Sequence, residues 1–191
     1  MQSAEDGTVG LVLAGGRSSR MGRDKAMLPW RETTLLAHMQ RRLRESGVTR
    51  VMVSGAYPQC DAVPDRFADL GPLGGLASVA AALPDGPVLV VPVDMPLLDP
   101  ALLRYLRVSS SAEVCACFQG HPLPLYLRLN PSSRRVLDRM LNAVAQQRSL
   151  RALHAALMGK SFEVPMGYDG QLQDADTPVA WRRLRRATAG R

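Results

Sequence analysis

Short apolar runs alternate with helix-patterned segments along almost the whole chain, and this alternation limits the possible folds more than any other feature. "VGLVLAG" (9–15) reads as a buried strand and "VTRVMVSGA" as the next one. Between them, "TTLLAHMQRRLRESG" places Leu35, Leu36, Met39 and Leu43 at helical spacing, with Thr33 or Thr34 as cap and Gly47 as stop. "GPLGGLASVAAALPDG" reads as a loop and helix, "PVLVVPVDMP" as an apolar strand ending in an aspartate, and "PALLRYLRV" as a helix. "AEVCACF", starting at about Ala112, and "PLPLYLRL" read as strands. Separated by "QGH", they predict a hairpin or antiparallel edge. The helices "SSRRVLDRMLNAVAQQ" and "SLRALHAALMG", the strand "SFEVPM" and the helix "TPVAWRRLRR" complete the pattern. Strands alternating with helices imply a three-layer α/β fold whose mostly parallel sheet is covered on both faces.

The 191 residues suit one domain with a full core, expected to span 1–191, and no repeat or long linker divides them. No apolar run approaches the roughly 20 residues that cross a bilayer. The polar, acidic start "MQSAEDG" lacks a signal-peptide pattern, so a cytoplasmic location and no membrane partner are expected. Cys60, Cys115 and Cys117 form no C-x-x-C pair, and Cys115 and Cys117 would face the same way on a strand, as small buried hydrophobes. The net charge of +7 raises the question of nucleic acid. Arg182, Arg183, Arg185, Arg186 and Arg191 supply five of those charges, with no acid after Asp176. A basic C-terminal tail over about 182–191, the solvated end of a helix, explains them without a nucleic-acid partner.

In sheets of this kind ligands bind beyond the carboxyl ends of the strands. "LAGGRSSRMGRDK" (13–25) occupies that position after the first strand. A Walker P-loop fails because Arg23 follows Gly22, and the spacing of Gly15, Gly16 and Gly22 fails the dinucleotide fingerprint. What remains is a longer loop with Arg17, Arg20, Arg23 and Lys25. Its paired glycines allow backbone N–H groups to approach an anion, and its cations can neutralise a triphosphate. Asp94, at the end of "VLVVPV", is the leading metal-ligand candidate, because a lone carboxylate there is costly to bury. The alternative is that it caps the helix after Pro96.

The stretch 13–25 resembles the signature of the MobA-like nucleotidyltransferases, L-A-[GA]-G-x-S-x-R-M-G-x-[DN]-K. The resemblance continues, in family order, through "DRFADLGPLGGL", "VVPVDMPLL", "HPLPLYLR", "RSLRAL" and "DADTPVAW". It implies a Rossmann-like nucleotidyltransferase fold. Members that transfer guanylyl groups usually carry L-A-G-G and cytidylyl relatives L-A-A-G, so Gly15 points to GTP. The implied reaction moves GMP from GTP to the terminal phosphate of molybdopterin (the molybdenum cofactor), releasing pyrophosphate. Molybdopterin supplies its own nucleophile, so no enzyme base is required.

The resemblance also assigns roles. Arg20 and Lys25 hold phosphates, and Asp94 binds Mg²⁺, with Mn²⁺ as an alternative. Leu13, Ala14, Gly15, Gly16 and Gly22 present backbone to the nucleotide. Asp65, with Asp69 as its local rival, reads guanine. Gly71, Gly74 and Gly75 let the chain pass close to the ligand, and Ser54 or Gly55 contacts the base. His121 lies in the acceptor-side block, whereas His38 reads as a surface or satisfied residue of the first helix and His154 as structural. Family members often have N-[VI]-N-T-P where this chain has Asp174–Ala175–Asp176–Thr177–Pro178. Asp176, with or without Asp174, is therefore a candidate second metal ligand or pterin contact, against the simpler reading that Asp176 caps the last helix. The implied partners are a molybdenum-insertion protein and acceptor molybdoenzymes, and a monomer is expected. The competing readings are a cytidylyltransferase of the same pathway, a sugar-phosphate nucleotidyltransferase, and a catalytically silent nucleotide-binding partner protein. Retention of both Lys25 and Asp94 argues against the last.

Overall fold

The computed structural model describes residues 7–15, 24–67 and 70–189. Arg20, Gly16, Gly22 and Asp69 lie outside the described residues. Among the described residues nine strands and six α-helices follow in chain order: β1 (Val9–Leu13), β2 (Pro29–Trp30), β3 (Thr33–Thr34), α1 (Leu35–Glu45), β4 (Arg50–Ser54), β5 (Ala62–Val63), α2 (Gly71–Ala80), β6 (Gly86–Pro92), α3 (Pro100–Ser109), β7 (Cys115–Phe118), β8 (His121–Leu129), α4 (Pro131–Leu141), α5 (Leu150–Ala156), β9 (Lys160–Phe162) and α6 (Pro178–Ala189). Seven strands form one sheet in the order β5-β4-β1-β6-β8-β7-β9, and β2 pairs antiparallel with β3 beside it.

The sheet is parallel from β5 to β6; β8 then runs against both β6 and β7, and β9 is parallel to β7. The central strands β1 and β6 are continuous apolar runs because both of their faces are covered, so Leu11, Val12 and Leu89 to Val91 are fully buried. Helices α1 and α3 pack on one face, and α2, α4 and α5 on the other. Local capping sets the helix starts: Thr34 accepts from Ala37 N–H, Asp99 from Ala101 N–H, and Ser149 from Ala152 N–H, while Asn130 and Ser133 form a reciprocal capping box.

The "CACF"/"PLPLY" hairpin forms as expected, and β9 adds outside β7 as the edge of the sheet. Other expectations change. β7 starts at Cys115 rather than near Ala112, since residues 110–113 make a turn with Glu113 N–H donating to Ser110. α4 ends at Leu141, and Ala145–Gln147 forms a separate 3-10 turn. Asp176 does not cap α6; Thr177 does, accepting from Ala180 N–H at 3.1 Å. Nor does Asp94 cap α3, where Asp99 fills that role. α6 carries the basic tail as far as Ala189 and docks through buried Trp181 and Leu184, with Arg182, Arg183 and Arg185 exposed on its other side. Cys115 and Cys117 are buried as expected, and burial pushes the Cys115 thiol up to about 12.

Candidate active site

At the carboxyl ends of β1 and β6 the sheet opens into a cavity of about 860 Å³. β1 delivers Leu13, Ala14 and Gly15 to its wall, and the chain leaving β6 delivers Val93, Asp94 and Met95. Because β8 runs antiparallel to β6, its first residues stand at the same end of the sheet. The ladder reaches Val90↔Leu125, and beyond it His121, Pro122 and Leu123 join the lining. One reversed strand thus brings the "HPLPLY" block alongside the aspartate of "PVDMP".

Lys25 opens a 3-10 turn, Lys25–Met27, whose cap is Asp24; the Asp24 carboxylate accepts from Ala26 N–H at 3.0 Å. This turn aims Lys25 into the cavity, where its Nζ donates to Asp94 Oδ2 at 3.0 Å. Both side chains are about one-fifth exposed, so the pair meets solvent and any ligand that enters. The backbone around Asp94 is pinned on two sides. Val93 N–H donates to the Leu13 carbonyl at 3.1 Å, and Ala175 N–H donates to the Asp94 carbonyl at 2.7 Å.

The second of these bonds carries the "DADTP" loop to Asp94. Partial burial pushes the Asp174 carboxyl above the usual range, and the negative charges of Asp176 and Asp94 push it the same way. Among the described residues no group of three or more His, Cys, Asp or Glu side chains is gathered tightly enough to hold a metal by itself. The donors are nevertheless hard carboxylate oxygens, and the charge crowding that raises the Asp174 carboxyl is what a divalent cation relieves. A small cation that takes one or two carboxylates and completes its shell with substrate phosphates and water needs no more protein ligands.

The far wall holds two cations that motif reading did not single out. Arg151 of α5 donates to the Gly120 carbonyl at 2.9 Å, and Arg183 of α6 donates to Gln173 Oε1 at 3.1 Å. Both line the cavity with His121 and Asp174. Arg183 is hidden in the sequence by its place in a run of arginines that otherwise reads as solvated charge.

The remaining sequence candidates lie outside this cavity's lining. Asp65 Oδ1 accepts from Phe67 N–H at 2.9 Å and from Ser78 Oγ at 3.2 Å, which fixes the turn before α2. Ser54 ends β4 with its Oγ buried and without a partner among the described residues, directly over Gly75. A Cβ at Gly75 would meet that Oγ at 2.8 Å, so the glycine is required by helix-to-strand packing. Gly71 begins α2 at φ +56, a left-handed conformation that glycine adopts without strain. Asp176 hydrogen-bonds with Asp174 rather than lining the cavity. His38 and His154 are structural: their Nε2 atoms bond the carbonyls of Pro96 and Lys160 at 2.9 and 3.1 Å.

A molybdenum cofactor guanylyltransferase from Xanthomonas euvesicatoria pv. vesicatoria is 47% identical over 92% of this chain and 93% of its own. The solved molybdopterin-guanine dinucleotide biosynthesis protein A of Archaeoglobus fulgidus has the same fold, with a TM-score of 0.77 at 16% identity over 96% of this chain and all of the other. A Mycobacterium tuberculosis protein solved in complex with manganese shares it too, with a TM-score of 0.65 at 21% identity over 94% of this chain and 97% of the other. The family model described as the MobA-like NTP transferase domain matches residues 10–161, so the chain, a nucleotidyltransferase, belongs to the MobA-like NTP transferase family.

Proposed function

We propose that the protein transfers GMP from GTP to the terminal phosphate of molybdopterin. An oxygen of that phosphate attacks the α-phosphorus of GTP, the bond to the β-phosphate oxygen breaks, and pyrophosphate leaves with the electron pair. The observation that carries this reading is the Lys25–Asp94 pair, held over the carboxyl ends of β1 and β6 in a cavity large enough for two anionic substrates. The name of the Xanthomonas relative supports the guanylyl assignment.

The chain's own residues divide the work. Lys25 and Arg20 neutralise the triphosphate and hold it in line, while the backbone of Leu13 to Gly16, with Gly22, lies along the nucleotide. Asp65 Oδ1 is occupied by Phe67 and Ser78, so recognition of guanine N1–H and N2–H₂ falls to Oδ2. Ser54, Gly71 and Gly75 shape the base side. On the opposite wall Arg151 and Arg183 attract the acceptor phosphate, and His121 faces the pterin. Asp94, with Asp174 or Asp176 as second carboxylate, would hold Mg²⁺ or Mn²⁺, and the ion would offset the charge that develops on the phosphoryl oxygens.

The reading is tested by incubating purified protein with Mg²⁺, molybdopterin and either GTP or CTP, and measuring pyrophosphate. Release with GTP alone is expected. Release with CTP alone overturns the guanylyl assignment, and release with neither overturns the transferase reading.

A further inference from the structure

We infer that Tyr57 is a positioning residue, a strut that holds Asp24 beside the end of β1 and so sets the Lys25 side of the site. This rests on the reading of residues 13–25 as the triphosphate loop. Tyr57 lies in the connection between β4 and β5, far from the motif in sequence, yet only 9% of it is exposed. Its hydroxyl is 3.0 Å from Asp24 Oδ1, 3.2 Å from Asp24 Oδ2 and 3.3 Å from the Ala14 carbonyl oxygen. Ala14 lies just before the loop's glycine pair, and Asp24 immediately precedes Lys25. The one phenol hydrogen goes to the nearer and charged acceptor, Asp24, while the hydroxyl oxygen packs beside the Ala14 carbonyl at the end of β1.

The surroundings are shaped for it. Gly55, at φ +124, leaves the space in which the ring lies; a Cβ there would meet Tyr57 Cε2 at 2.7 Å and approach Gly15 N to 3.4 Å. The ring is thus inserted beneath the Ala14–Gly15 backbone. Tyr57 N–H donates to the Gly55 carbonyl, and Cys60 N–H donates to the Tyr57 carbonyl, so the strut's own backbone is fixed. Burial, with the Asp24 carboxylate beside it, drives the phenol pKa upward, so the O–H remains a donor throughout the range in which the enzyme is assayed.

Asp24 is the second half of the device. Its carboxylate receives the Tyr57 hydroxyl and also caps the turn that carries Lys25. Lys25 in turn reaches Asp94, so the chain of contacts runs Tyr57, Asp24, the Lys25 turn, Asp94. Fixing the Lys25 turn before the ligand arrives removes part of the cost of placing its ammonium group on binding.

The test measures binding of inorganic tripolyphosphate, a probe of the loop that needs neither base nor acceptor, alongside steady-state kinetics and melting. Tyr57→Phe keeps the ring and removes the hydroxyl. It is expected to weaken tripolyphosphate binding and raise KM for the nucleotide by about tenfold, near the lower end of the effect of one hydrogen bond to a charged group. The melting temperature is expected to stay within a few degrees of the native value. Asp24→Ala should match or exceed that loss, Asp24→Asn should restore binding because its amide oxygen still accepts, and the Tyr57→Phe/Asp24→Ala double variant should be no worse than Asp24→Ala. Native tripolyphosphate affinity in Tyr57→Phe, or fully additive losses in the double variant, overturns the strut. Failure of the native protein to release pyrophosphate would instead count against the transferase reading, leaving the tripolyphosphate comparison to decide the role of Tyr57.

Discussion

Lys25 and Asp94 are 69 positions apart in the chain and 3.0 Å apart in space. Their pairing gives the residue-scale expectation. Lys25→Ala and Asp94→Asn should each lower kcat/KM for pyrophosphate release by on the order of 10²-fold or more, because each removes a charge aimed at the phosphates. Stability should move little, within about 1 kcal/mol, because the pair is partly open to solvent. Pyrophosphate assay and thermal melting on the same preparations separate the two effects. Both residues were legible in the sequence, Lys25 from its motif and Asp94 because an apolar strand ending in a carboxylate is conspicuous. Tyr57 and Arg183 were not, since nothing local marks them, and Arg151 was not singled out although its block "RSLRAL" is part of the resemblance. Arg183 is one arginine among several in its stretch, and the tyrosine acquires its role only because β4 ends beside β1.

At the scale of elements, α1 is fastened to the loop that follows β6. Buried His38 donates from Nε2 to the Pro96 carbonyl, and its Nδ1 accepts from Arg41 at 3.4 Å. The Trp30 ring lies 5.9 Å away, centre to centre. Burial lowers the His38 pKa from 6.5 to about 4; the Pro96 carbonyl opposes that shift, and Arg42, Arg41 and Arg31 reinforce it. Below pH about 6.5 the unfolded chain therefore takes up a proton that the folded chain refuses until about 4. Stability should fall as pH drops through that window and level off below it, by a contribution on the order of 3 kcal/mol. Denaturant unfolding of the native protein and His38→Gln across pH 7 to 4 checks this; the variant should lose less over the same interval. The sequence predicted this element well, since its apolar spacing and threonine cap are local signals. The partner of His38 was not predictable, because Pro96 is 58 residues away.

Across the whole molecule, the site is closed by the part of the chain farthest from the phosphate motif. α6 packs Trp181 on Trp30, with ring centres 5.4 Å apart, and contributes Ala180, Arg183 and Leu184 to the cavity. Trp181→Ala should cost about 3 kcal/mol or more in folding stability. Given the proposed placement of the acceptor against this wall, it should raise KM for molybdopterin more than KM for GTP; chemical denaturation and two-substrate kinetics measure the two. Among the described residues no helix is long and apolar enough to cross a membrane. By itself the sequence determined the alternation of strands and helices, the buried parallel centre, the phosphate motif and the aspartate at the end of β6, because hydrophobic period, capping and motif spacing act over a few residues. The tertiary structure alone decided the internal position of β8, the edge role of β9, the capping of α6 by Thr177, the docking of the acidic loop on Asp94 and the strut beneath Ala14. Each of these depends on which distant backbone groups and side chains the sheet order brings within hydrogen-bonding distance.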